Sequence, residues 1–143
     1  MIRALMIGFG SVGRALARMI GEKRGLLQDM GFDCSVVGIF TRTRGNLVDP
    51  GGIDLCRALD DIERDGRFTD ATSGITPLEA CRELDYDVLL ELSPLPIEEH
   101  GEPAVSHIRA ALSRGKNAVP ANQGPVGFAY AALMALALED GAA

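Results

Sequence analysis

Gly8-Phe9-Gly10-Ser11-Val12-Gly13 follows directly on the apolar run 2–7 and leads directly into residues whose apolar members recur at helical spacing. Strand, glycine turn and helix in that order open a βαβ unit that binds a dinucleotide. Each glycine has a separate task there. Gly8 makes the tight turn, Gly10 lets the backbone approach a pyrophosphate, and Gly13 lets the helix lie close to the strand. The free N–H groups and positive dipole end of the helix then face the phosphates, so Phe9, Ser11 and Val12 join the three glycines as candidate cofactor contacts.

Downstream of the turn, helical patterns alternate with short buried strands. Val12, Ala15, Leu16, Met19, Ile20, Leu26, Leu27 and Met30 mostly keep three- and four-residue steps, which predicts one amphipathic helix ending near Gly31. Residues 34–41 are apolar and β-branched without helical spacing, as in a parallel strand buried on both faces. Gly45, Asn46, Pro50, Gly51 and Gly52 mark 42–52 as a loop, and 53–64 returns to a helical mixture. Thr76-Pro77-Leu78-Glu79 has the form of a capped helix start, with Thr76 as cap and Glu79 at capping-box distance. Residues 86–92 read as a central strand that stops at Ser93-Pro94. A helix over 101–114, a brief strand over 117–119 and an alanine- and leucine-rich helix over 124–139 complete the pattern. Such alternation predicts an α/β fold, a doubly wound parallel sheet of the Rossmann dinucleotide-binding type. At 143 residues the chain is sized for one such domain, residues 1–143.

Composition excludes several classes. The net charge of -6 argues against a nucleic-acid partner. The charge is uneven: residues 1–45 hold seven Lys/Arg against three Asp/Glu, a balance of +4, so the rest carries -10. The basic half is the half with the glycine turn, as an anionic cofactor requires. Cys34, Cys56 and Cys81 match neither a disulfide framework nor a zinc pattern and are expected to be buried thiols in a reducing cytoplasm. His100 and His107 lack partners at metal-ligand spacing, so no metal is expected. The glycines interrupt any secretory segment at the N-terminus, and the unbroken apolar stretch 128–138 is too short to span a bilayer.

In an open parallel sheet ligands bind beyond the carboxyl ends of the strands. Asp33 has the spacing of a ribose-binding acid but precedes its strand, at the wrong end of the sheet. Thr41, Arg42 and Arg44 close that strand instead, and the arginines offer planar donors suited to a 2'-phosphate, which points to NADP with NAD as second choice. Glu91 sits in an otherwise apolar strand, where it must face the cleft or hold a hydrogen-bonded partner. Ser93 and Pro94 end that strand and are candidate cofactor contacts, and Asn122 and Gln123 end the next, where polar side chains would face the nicotinamide. His107 lies mid-helix beside Val105 and Ile108 and reads as a packed or surface residue.

These residues carry a family likeness. Gly101-Glu102-Pro103-Ala104, Arg114-Gly115-Lys116-Asn117-Ala118-Val119 and above all Ala121-Asn122-Gln123-Gly124-Pro125 resemble the N-terminal nucleotide-binding domain of homoserine dehydrogenase. The likeness runs nearly end to end. It implies hydride transfer between homoserine and aspartate semialdehyde with NAD(P), in threonine and methionine biosynthesis. One departure stands out: the family's lysine near the nicotinamide is Gln123 here, which can donate and accept hydrogen bonds but carries no charge. The family's substrate domain, with its proton-transfer aspartate and lysine, has no matching positions in these residues. No certain catalytic residue is therefore expected in the chain, and the chain alone is expected to be inactive. Two readings follow, the cofactor half of a homoserine dehydrogenase and a stand-alone NAD(P)-binding or sensing module. The apolar last helix leaves surface that favours a further domain or a homo-oligomer.

Overall fold

The computed structural model describes residues 1–94, 100–122 and 124–143. The strands are β1 Ile2–Ile7, β2 Cys34–Phe40, β3 Leu47–Val48, β4 Val88–Glu91 and β5 Asn117–Pro120. The helices are α1 Ser11–Glu22, α2 Arg24–Asp29, α3 Leu55–Asp65, α4 Pro77–Glu83, α5 Ala104–Leu112 and α6 Gly124–Asp140. One sheet runs in the order β3-β2-β1-β4-β5, parallel except where β3 pairs antiparallel with β2.

β1 sits at the centre, and its alternate residues feed two hydrophobic layers. Ala4 and Met6 pack with Ala17 of α1 and Ala58, Leu59 and Ile62 of α3. Leu5 and Ile7 pack on the opposite face with Ala80 and Cys81 of α4, Ile108 and Ala111 of α5, and Leu133 and Ala137 of α6. Helices on both faces make this the expected Rossmann-type, doubly wound arrangement. A register shift between Ala4 and Leu5 pairs Ala4 with Val36 and Leu5 with Gly38. Val37 is the extra residue of a bulge, and Gly38 then lies beside Leu5, where a Cβ would come within 2.7 Å of the Leu5 side chain.

Three expectations need correction. The helix expected to run to Gly31 breaks at Lys23 into α1 and α2. α1 buries Gly13 and Ala17, whereas α2 buries nothing, and its apolar Leu26 and the following Met30 are exposed. The apolar spacing thus continues past the point where packing stops. The loop expected over 42–52 contains β3, two residues held to Gly38 and Ile39. The cysteines are all free, but only Cys81 is buried; Cys34 is half-buried and Cys56 exposed. Burial pushes the Cys81 thiol up to about 12, so it stays protonated and inert at neutral pH.

Other local readings hold. Thr76 caps α4 with its hydroxyl on the Glu79 amide, and the Glu79 carboxylate accepts from the Thr76 amide, a complete capping box with Pro77 in the first turn. Tyr86, fully buried, donates to the Cys81 carbonyl, and Arg114 donates to the Cys81 and Leu84 carbonyls, tying the end of α4 to the sheet. No helix among the described residues is long and apolar enough to cross a membrane.

Candidate dinucleotide-binding site

The carboxyl ends of β1, β4 and β5 converge on the glycine turn. Gly8 has φ 100°, and a Cβ there would lie 2.5 Å from the Leu92 carbonyl oxygen and 2.7 Å from the Ser93 nitrogen. Only glycine fits between these strand ends. Gly13, buried in the first turn of α1, would drive a Cβ to 2.8 Å from the Gly8 carbonyl, which shows how closely helix and strand approach. Gly10 is different. It caps α1 with φ -82°, and an added Cβ would meet nothing within 4 Å, so its backbone faces open space.

Among the described residues no side chain caps α1, and no acid stands in its first turn. The amides of Ser11 and Val12, both exposed, therefore lack intrahelical acceptors at the positive end of the helix dipole. The Phe9 ring is buried against Phe68, 5.6 Å between centroids, so only its backbone is presented to the turn. Arg14, four residues beyond Gly10, donates from Nε to the Gly10 carbonyl at 3.3 Å and adds a positive charge at the turn. Its spacing from Gly10, one helical turn, is the signal the sequence carries for this contact.

At the end of β2 the loop closes on Thr41. Its amide donates to Asn46 Oδ1 at 3.0 Å, its hydroxyl donates to the Gly45 carbonyl at 2.6 Å, and it accepts from the Arg44 amide at 2.9 Å. Thr41 is committed to shaping the loop. Among the described residues neither Arg42 nor Arg44 has a side-chain hydrogen bond or ion pair within the chain; Arg42 is exposed and Arg44 half-buried. The other basic residues of the first half are dispersed. Arg3 pairs with Asp85 at the amino end of the sheet and Arg18 with Glu63 on the outer face of α1. Asp33 precedes β2 and takes the Ile2 amide on its carbonyl, at the end of the sheet away from the turn.

Glu91, at the end of β4, is fully buried. Its Oε1 accepts from the Ser93 amide at 3.0 Å and from the Ser93 hydroxyl, and its Oε2 lies 2.7 Å from His107 Nδ1 of α5. His107 is thus a packed residue, and Glu91 is the strand acid with partners. Asn122 donates from Nδ2 to the Ser93 carbonyl at 3.0 Å and accepts from the Gly124 amide at 3.1 Å, stitching the ends of β4 and β5 together. Pro94 is exposed beside Ser93. Gln123 lies outside the described residues. No group of three or more metal-ligating side chains forms among the described residues.

The architecture and the turn define a class, the Rossmann-type nucleotide-binding domains. Within it, the chain is related over nearly its whole length to homoserine dehydrogenases. The enzyme of Methanocaldococcus jannaschii is 29% identical over 140 residues, which are 96% of this chain and 41% of that protein. The NAD(+)-dependent homoserine dehydrogenase of Pseudomonas canavaninivorans is 31% identical over 137 residues, 92% of this chain and 38% of that protein. A hyperthermophilic archaeal homoserine dehydrogenase, solved in complex with NADPH, superposes with a TM-score of 0.81 at 28% identity, covering 98% of this chain and 41% of that one. The chain spans less than half the length of each of these relatives and matches their N-terminal part. No model of a protein family matches it.

Proposed function

We propose that this chain is the cofactor-binding part of an NAD(P)-dependent homoserine dehydrogenase, acting with a substrate domain that supplies the proton-transfer groups. The carrying observation is the glycine turn: Gly10 opens onto free space at an uncapped helix start, while Gly8 and Gly13 are closed in by backbone. A pyrophosphate fits that cradle, with the Ser11 and Val12 amides and the Arg14 charge to receive it. Arg42 and Arg44 hold the adenosine end, and a 2'-phosphate is the group two unpaired guanidiniums suit. NADP is therefore the first choice of cofactor and NAD the second. The nicotinamide half lies against Ser93, Pro94 and Asn122, with Gln123 adjoining in the chain.

When bound, the nicotinamide supplies hydride exchange; this chain's residues bind the cofactor, orient it and set which nucleotide is preferred. Homoserine and aspartate semialdehyde are the proposed substrates, a homo-oligomer the proposed assembly, and the cytoplasm, which keeps three free thiols reduced, the proposed compartment. Gln123 in the family's lysine position is the observation that favours the second reading, an NAD(P)-binding or sensing module without turnover.

Titration with NADPH and NADH tests the cofactor assignment. NADPH is expected to bind at least about tenfold tighter, as a charged, bidentate phosphate contact implies; NADH binding tenfold tighter overturns it. Homoserine-dependent NADP reduction by the chain alone is expected to be absent. Activity there would place the catalytic groups within these residues.

A further inference from the structure

Ser93 has no donor left to give. Its amide and its hydroxyl proton both go to Glu91 Oε1, and its carbonyl takes Asn122 Nδ2. An amide can only donate, so Oε1 is an acceptor whatever the protonation of the His107–Glu91 pair at Oε2, and the hydroxyl proton follows. The hydroxyl oxygen retains its lone pairs. Ser93 is half-buried and its backbone abuts Gly8, so those lone pairs lie at the meeting point of the β1 and β4 ends.

Burying Glu91 completely is costly unless its oxygens are satisfied, and three hydrogen-bonding groups within the chain do this. One of them comes from α5, sixteen residues away. Packing the strand end would need only an apolar residue here. A network that consumes the serine proton serves a different purpose, fixing the direction of a hydrogen bond to whatever sits beside it.

We infer that Glu91 and His107 are positioning residues that make Ser93 Oγ an acceptor-only group, selecting a donor hydrogen on the nicotinamide riboside half of the cofactor. That donor is a ribose hydroxyl or the carboxamide N–H. The inference rests on the cofactor reading above.

The test compares two probes on the full chain by calorimetry: NADP+, and 2',5'-ADP, which has the adenosine phosphates but no nicotinamide riboside. Ser93→Ala and Glu91→Met, which leaves the serine proton without its acceptor, are expected to weaken NADP+ about five- to tenfold, the worth of one well-made hydrogen bond, and to leave 2',5'-ADP within about twofold. Glu91→Gln, whose amide oxygen still accepts both Ser93 donors, is expected to keep wild-type discrimination. His107→Gln is expected to shift the same ratio less, and Ser93→Thr, which keeps the hydroxyl, to retain wild-type discrimination. A merely structural network would weaken both probes together or change only melting temperature, and that result overturns the inference. So does Ser93→Ala with unchanged NADP+ binding. Should Glu91→Met fail to fold, the two Ser93 variants and Glu91→Gln decide. If the wild-type chain binds neither probe, the cofactor reading fails first and this inference with it. The 3-acetylpyridine analogue of NADP+ lacks the carboxamide N–H and keeps the ribose hydroxyls. Equal sensitivity to Ser93→Ala assigns the ribose and lost sensitivity the carboxamide, either of which supports the acceptor role.

Discussion

The three glycines of one turn answer to different forces, and substitution separates them. Gly8→Ala places a side chain at φ 100° and 2.5 Å from a carbonyl oxygen, so it is expected to cost at least about 2 kcal/mol of stability by denaturant melt. Gly10→Ala meets no atom within 4 Å and has an ordinary φ of -82°. Its stability is expected to stay within about 0.5 kcal/mol of wild type while NADPH affinity falls about tenfold or more, because the methyl stands where the pyrophosphate approaches. An unstable Gly10→Ala with normal affinity would mean that the turn is built for packing alone. The tight clearances at Gly8 and Gly13 and the open space at Gly10 were legible in the sequence because the fingerprint encodes backbone clearance, a local property. Arg42, Arg44 and the misplaced Asp33 were legible for the same reason, since position relative to a strand end follows from the order of elements. The Glu91–His107 contact was not. It joins a strand to a helix through tertiary packing, and only the cost of burying Glu91 hinted that a partner existed.

Elements whose ends carry their own chemistry were readable, and those defined by packing were not. α4 belongs to the first kind: cap, proline and box are contiguous in the chain. Thr76→Ala is expected to cost about 1 kcal/mol, the usual worth of an N-cap hydroxyl. A pH dependence follows from the same box. Hydrogen bonds from the Thr76 hydroxyl and amide hold the Glu79 carboxyl below its ordinary 4.5. A carboxyl depressed in the folded state stabilises it above the unfolded value, and that contribution is lost as pH falls through the folded value. The stability gap between wild type and Thr76→Ala in urea melts should therefore narrow, down to the cap bond on the Glu79 amide, as pH falls below the ordinary carboxylate range; a gap constant from neutral to acid pH would show that the hydroxyl does not bond the carboxylate. α2 and β3 are the second kind. Two residues of strand carry no periodicity, and the apolar residues Leu26, Leu27 and Met30 keep helical spacing although the core has already been closed by α1.

At the scale of the whole molecule, the uncovered surface runs along α6, which starts at the site beside Asn122 and leads away from it. α6 has no charged residue before Glu139, buries Leu133 and Ala137 against the sheet, and leaves Phe128, Tyr130, Met134 and Leu138 exposed. Leu138 is 78% exposed and Tyr130 57%, values that a helix apolar around its circumference reaches only when one side has no neighbour. Val119 on β5, the strand at the sheet edge, is 52% exposed as well, so the apolar surface is shared by a helix and an edge. A patch of this kind on a monomer drives association or binds apolar dyes. The chain is accordingly expected to self-associate in sedimentation experiments as concentration rises and to enhance anilinonaphthalene sulfonate fluorescence. Met134→Lys with Leu138→Lys should suppress both, because long charged side chains snorkel over the patch without touching the buried side of the helix. NADPH affinity should not change, since both positions lie along α6 away from the turn at Gly10. If the double variant remained associated, the contact would lie elsewhere, and the exposed row of α1 formed by Val12, Ala15 and Met19 is the next surface to charge. That row adjoins the glycine turn, so its substitution would alter nucleotide affinity and association together, which distinguishes the two surfaces in one measurement.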